Sequence, residues 1–295
     1  VKMKKINIED ILLSKNITAK IKKDFTLFEA ENFLPSEIYN ELNLTFPSVE
    51  LIKKATPATS ATVGAEAYWL YLDNQLNQRG MDDHNDVQSL WSSFLEENPI
   101  WKDFIDLIYS KKFVDDALRE FNSEIKSRGI RYFFRKNKYK EKVSNVEVEC
   151  AFSARGNNST IEPHTDAGGK IISLLLYFPQ SNWEEENGGS TLFYTSKDGS
   201  KGGGRKWRKL GKVNTYIPDV KSGEKASDIM KDFYDRFKVL YSTRYAPNML
   251  AGFVKNNSSW HRSEKIKCKN LDYRRLFMIN IKMNDQGEKS QQDQY

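Results

Sequence analysis

Between residues 171 and 178 the chain is apolar at almost every position, without the alternation of a half-exposed strand, which predicts a strand buried on both faces. Asn187, Gly188 and Gly189 read as a turn behind it, and residues 190–194 as a returning strand. Residues 25–30 alternate like a strand, and residues 130–134 and 143–154 read as two more. In the last apolar segment, Leu276, Met278 and Asn280 share one face and Phe277, Ile279 and Ile281 the other, the second being a good surface for packing on helices.

Helical periodicity is clearest over residues 90–129. Trp91, Phe94 and Leu95 recur at three and four, as do Trp101, Phe104, Ile105 and Ile108, then Phe113, Ala117, Leu118, Phe121 and Ile125. Asn98-Pro99 breaks the first segment and Arg128-Gly129 ends the last. Such helices are expected to cover the outer face of a sheet. Residues 2–23 are Lys-rich and read as a surface arm or short helix; residues 32–37 read as a loop into a helix capped by Ser36 or Asn32 and ending near Phe46-Pro47. Residues 54–78 read as a loop followed by a short apolar element, Tyr68 to Leu72, at the mouth of a site, and residues 227–240 as a short helix.

Chemistry enters just before the central strand, at Pro163-His164-Thr165-Asp166. On an extended segment His164 and Asp166 point to one side, so an imidazole nitrogen and a carboxylate oxygen can approach one metal together. A third ligand from elsewhere would complete the 2-His-1-carboxylate face of a non-haem Fe(II) site, with its opposite side open. The remaining histidines are His84, among Asp82, Asp83 and Asp86 in a polar stretch that reads as a solvated loop, and His261.

The order of parts is the specific signal: His164-x-Asp166, the Gly-Gly turn, His261 after Ser259-Trp260, then Arg274 and Arg275 opening the final strand. Over residues 146–281 this resembles the prolyl-4-hydroxylase-like branch of the Fe(II)/2-oxoglutarate-dependent dioxygenases. The resemblance implies a double-stranded β-helix, a cupin-like jelly roll with N-terminal helices packed on one sheet. It implies one domain over residues 1–295, with a mostly helical support region (1–145), a β core (146–283) carrying an insertion at about 195–243, and a polar tail (284–295). His164, Asp166 and His261 would hold Fe(II). The co-substrates would be 2-oxoglutarate and dioxygen, with ascorbate supportive and succinate and CO2 released. The far carboxylate of 2-oxoglutarate needs an arginine fork in a dry pocket. Strand alternation favours Arg274, because Arg275 pointing inward would turn Arg274, Asn280 and Lys282 toward the helices; Arg275 is the alternative. Relatives often carry Ser or Thr two residues after this arginine, where Leu276 and Phe277 stand here. A hydroxyl is therefore sought from Tyr177, with Thr191 lining the same pocket. Asp166 favours hydroxylation, or another oxidation such as desaturation, over halogenation, since related halogenases lack this carboxylate.

Composition narrows the partners. The 295 residues include only Cys150 and Cys268, which cannot make a disulfide framework. No apolar run spans a bilayer and the first residues lack a signal peptide's apolar middle, so a cytoplasmic location is expected and no membrane association. The net charge is +6, and residues 197–212 alone hold seven basic residues against one acidic around Trp207. This basic insertion reads as a substrate lid, a nucleic-acid grip or a solvated hairpin. The expected substrate is a small molecule or an amino-acid or peptidyl residue. Rivals are a catalytically silent binding protein on the same scaffold, a zinc hydrolase with the same ligands, and an oxygenase acting on nucleic acid.

Overall fold

The computed structural model describes residues 6–56, 66–72, 85–127, 146–166, 169–199, 207–209, 216–218, 226–268 and 272–283. Its strands are Ala19–Lys22 (β1), Thr26–Ala30 (β2), Ala67–Leu72 (β3), Val146–Arg155 (β4), Ile161–His164 (β5), Lys170–Tyr177 (β6), Thr191–Ser196 (β7), Trp207–Lys209 (β8), Tyr216–Pro218 (β9), Phe237–Thr243 (β10), Leu250–Val254 (β11), His261–Ser263 (β12) and Arg274–Met283 (β13). The α-helices are Leu13–Asn16 (α1), Ser36–Leu44 (α2), Val49–Ala55 (α3), Asn85–Glu97 (α4), Pro99–Tyr109 (α5), Lys111–Glu120 (α6), Asn122–Ser127 (α7) and Ala226–Arg236 (α8).

The strands form a seven-stranded sheet in the order β1-β2-β11-β6-β13-β4-β3, a four-stranded sheet in the order β10-β7-β12-β5, and a small β8-β9 pair. Pairing is antiparallel throughout, from β1-β2 to the ten-residue ladder of β13 on β4. β6 sits in the middle of the large sheet, and its apolar run is continuous because both its faces are covered. Helices cover the outer face: Trp101 of α5 is fully buried, with ring centroids 4.8 Å from Phe152 on β4, 5.5 Å from Phe178 and 5.7 Å from Phe277 on β13. The small sheet covers part of the inner face, where Phe193 of β7 packs 6.0 Å from Phe25 and 5.7 Å from Phe253 of β11. Gly252 is needed in β11 because a Cβ there would meet the Phe28 ring of β2 at 2.3 Å.

Several local expectations change. Of the two readings of the N-terminal tract, the short helix is present as α1 and the surface arm is not: Ile6, Ile11, Leu12 and Leu13 are buried, Asp116 of α6 accepts from Ser14, and residues 19–22 extend the large sheet. Enough apolar residues are scattered among its lysines to be drawn into the core. Neither Ser36 nor Asn32 caps α2: the N-cap is Pro35 with no side-chain hydrogen bond, Ser36 is already helical, and Asn32 takes a positive φ of 51°. The helix ends at Leu44 rather than near Phe46-Pro47, and Phe46 turns into the aromatic core. The apolar element at Tyr68 to Leu72 is the edge strand β3, paired with β4. The helix expected to reach residue 240 stops at Arg236, and Phe237 starts β10, which pairs with β7 inside the stretch read as insertion. His84, residues 130–134, the tail from 284, and residues 200–206 and 210–215 of the basic insertion lie outside the described residues.

Candidate metal centre

His164 is the last residue of β5 and His261 the first of β12, and the two stand directly opposite one another in the antiparallel ladder. Side chains of opposed residues share a face, and the two imidazoles lie with centroids 4.3 Å apart. Asp166, two residues past β5, places its Oδ1 3.9 Å from the His164 Nε2 and 4.0 Å from the His261 Nε2. One ligand atom from each residue falls within 4.8 Å of the others. Both Nδ1 atoms are occupied: His164 Nδ1 is 2.9 Å from the Glu162 carbonyl and His261 Nδ1 is 3.0 Å from the Ser259 carbonyl. An N–H donated to each carbonyl fixes the tautomer that leaves the Nε2 lone pairs free and converging beside Asp166. Donors bound to one small cation at about 2.0–2.2 Å stand roughly 3.0–3.4 Å apart on one face, so the 3.9 and 4.0 Å edges are wider than a bound ion needs, and binding would draw the three side chains together by a few tenths of an ångström to about 1 Å.

The electrostatics keep the donors in their ligating forms. Burial, reinforced by the neighbouring His261, holds the His164 imidazole down to about 3, and burial likewise lowers His261. Burial would raise the Asp166 carboxyl, but Lys170, the two imidazoles and the Ser173 hydroxyl override it and hold it well below the usual carboxylate range. Lys170 Nζ donates to Asp166 Oδ1 at 3.1 Å, and Ser173 Oγ donates to Oδ2 at 2.6 Å. Both donors come from β6, so the apolar central strand also orients the carboxylate.

The two arginines of β13 part company by alternation. Arg274 turns inward and is 2% exposed. Its Nε donates to the Gly189 carbonyl, its Nη2 donates to Thr191 Oγ1 at 3.2 Å, and its guanidinium lies 5.3 Å from the Tyr177 ring and 5.4 Å from the Tyr245 ring. Gly189 holds a positive φ of 94°, and a Cβ there would come within 3.3 Å of the Arg274 side chain, so the Gly-Gly turn both reverses the chain and leaves room for that side chain. Tyr177 and Thr191 hydroxyls are 2.6 Å apart, and burial raises the Tyr177 phenol against the pull of Arg274. Arg275 turns outward, donating to the Phe178 carbonyl at 3.0 Å and to Asn43 Oδ1 of α2 at 2.8 Å over the Phe46 ring.

Four neighbours escaped the sequence reading. Lys170 and Ser173 grip Asp166, Tyr245 covers Arg274, and Arg155 at the end of β4 pairs directly with Arg274 across the ladder. Lys170 and Ser173 were legible as polar residues set into an apolar strand. An arginine closing the buried strand β4, on the same side as Ser153 and Ala151, was a similar signal.

No protein-family model and no curated protein matches this sequence. Solved structures do. A Pseudomonas putida prolyl-4-hydroxylase is 10% identical with a TM-score of 0.41, over 94% of this chain and 99% of that one. A Trichoplax adhaerens prolyl hydroxylase, in complex with a hypoxia inducible factor oxygen degradation domain peptide fragment, is 10% identical with a TM-score of 0.42, over 87% and 83%. A Burkholderia pseudomallei oxidoreductase of the 2OG-Fe(II) oxygenase family is 9% identical with a TM-score of 0.31, over 84% and 89%. The solved structures to which this chain is similar thus include prolyl-4-hydroxylases and a 2OG-Fe(II) oxygenase.

Proposed function

We propose that this chain is an Fe(II)- and 2-oxoglutarate-dependent oxygenase that hydroxylates an unactivated C–H bond of a small molecule or an amino-acid or peptidyl residue. In this reading the two sheets are the halves of a double-stranded β-helix, and the described residues belong to one catalytic domain. The observation that carries it is the cluster of His164, Asp166 and His261 at the small sheet, with a buried arginine, Arg274, reaching toward that sheet from the large one. A zinc hydrolase would have use for the three ligands but none for that arginine.

His164, Asp166 and His261 would hold Fe(II), leaving one side open. With iron bound, the centre supplies the oxidative decarboxylation of 2-oxoglutarate by dioxygen to succinate and CO2, with one oxygen atom passed to the substrate. The chain itself positions and insulates. Arg274 would take the far carboxylate of 2-oxoglutarate, with the Tyr177 and Thr191 hydroxyls beside it. Thr191 is two residues along β7 from Phe193, the residue opposite His261, or about 6.6 Å. That separation is on the scale of a five-carbon dicarboxylate. Leu276, Met249 and Ala251 form an apolar wall around Tyr177 and Tyr245 that keeps water from the ion pair. Lys170 and Ser173 hold Asp166 ionised and aimed.

The test is slow turnover of 2-oxoglutarate without substrate, read as succinate, in the presence of Fe(II) and ascorbate. Wild type should release succinate, and His164→Ala, Asp166→Ala and His261→Ala should not. Undiminished release in any of the three sinks the assigned triad.

A further inference from the structure

Arg155 is 4% exposed and stands directly opposite Arg274, so both guanidinium groups project from one face of the large sheet. Burial, with the charge of Arg274 added, holds the Arg155 guanidinium down to about 9. Its contacts do not balance the charge: Nη1 reaches the Thr160 carbonyl at 3.5 Å, and the guanidinium lies 4.7 Å from the Trp69 ring of β3. Among the described residues no carboxylate lies within ion-pair distance of Arg155 or Arg274. Two adjacent buried cations without an anion are costly, and a fold keeps such a pair where a ligand supplies the charge.

Given the proposed function, the charges can be followed. Fe(II) with Asp166 leaves one positive charge, which the near carboxylate of 2-oxoglutarate cancels, and the far carboxylate cancels Arg274. With Asp166 counted against iron, Lys170 keeps a positive charge of its own, and because its side chain is 23% exposed that charge is left to solvent rather than to a buried anion. Arg155 remains: a buried cation with donors that no described residue takes up, beside the half-buried Trp69 and on the sheet face that holds the co-substrate arginine. We infer that Arg155 binds a carboxylate of the primary substrate, so that the substrate is a carboxylic acid whose body rests against Trp69. Among the described residues one buried guanidinium is left unbalanced, which matches a monoanion; a phosphate dianion would call for a second buried cation beside it. The inference rests on the proposed function and narrows its substrate class.

The experiment uses the full chain with Mn(II) in place of iron, with 2-oxoglutarate bound, and acetate as the probe against its uncharged match, acetamide. Acetate should raise the melting midpoint of this complex more than acetamide at equal concentration and ionic strength. Arg155→Met and Arg155→Gln should each abolish the difference while changing 2-oxoglutarate affinity by less than about threefold. Without ligand, Arg155→Met should melt no lower than wild type, because it removes a buried unbalanced charge. Equal protection by acetate and acetamide in wild type overturns the inference, and needs no variant to fold. So does a loss of 2-oxoglutarate affinity of about tenfold or more in both variants, which would make Arg155 part of the co-substrate clamp. Protection by inorganic phosphate well above that by acetate would refute the carboxylate assignment. If wild type binds neither Mn(II) nor 2-oxoglutarate, the proposed function itself fails, a result separate from any of these.

Discussion

Replacing Arg274 with alanine is the sharpest perturbation of the proposed co-substrate pocket. Arg274 is 2% exposed, and two of its donors are committed to Gly189 and Thr191, which fixes the rest of the fork between the Tyr177 and Tyr245 rings. A carboxylate meeting that fork does so in a dry, pre-aimed site. Removing one partner of such a buried, hydrogen-bonded charge pair costs roughly 2–5 kcal/mol, most of it from the anion left unpaired. Converted to affinity, this is a rise in the 2-oxoglutarate Kd of about thirtyfold to several thousandfold. The assay is equilibrium dialysis with Mn(II) in place of iron, so that binding is read without turnover. Arg274→Lys keeps the charge but loses the fork, and its Kd should fall between wild type and Arg274→Ala. Arg275→Ala is the internal control, because its guanidinium joins α2 and the Phe178 carbonyl on the other side of the sheet. It should lower stability and leave the Kd within about threefold. A large Kd increase in Arg275→Ala with none in Arg274→Ala would refute the assignment and the charge argument behind it.

Three further outcomes follow from particular contacts. Ser173→Ala removes the hydroxyl that donates to Asp166, and metal affinity measured by competition with a chelator should fall about 10–100-fold while the fold persists; unchanged affinity would mean that Lys170 alone orients the carboxylate. Trp101→Ala should cost about 3–5 kcal/mol in urea unfolding, because the ring is fully buried among Phe152, Phe178 and Phe277; a loss below about 1 kcal/mol would show that the aromatic cluster collapses to fill the space. Burial pushes the Cys150 thiol up, so the folded state keeps its proton while the unfolded thiol ionises above about pH 8.5. The stability this group contributes is therefore present below that pH and declines as the pH rises above it, and Cys150→Ala should flatten the alkaline slope of unfolding free energy.

Much of the site was legible because the signals are local. The His164-x-Asp166 spacing marks the pair as a unit in the sequence, although β5 ends at His164 and the loop beyond it carries Asp166; alternation along β13 separates Arg274 from Arg275. The apolar run of β6 carries its double burial in its own composition, and the aromatic periodicity of α5 marks the face that meets the sheet. Pairing between distant segments is a different matter. His261 is 97 positions from His164, and only the β12-β5 ladder sets their rings side by side, with centroids 4.3 Å apart. Arg155 reads as the polar end of a strand until β13 lies beside β4 in register and places it against Arg274. Lys170 and Ser173 are polar interruptions until the loop after β5 folds Asp166 back onto them. The N-terminal tract looked solvated by composition, yet edge pairing with β2 and the contact of Ser14 with Asp116 draw its few apolar residues inward. Periodicity is a property of each segment and fixes which face is apolar. Which faces meet, and which charges are thereby left unbalanced, is decided only when strands far apart in sequence share a sheet.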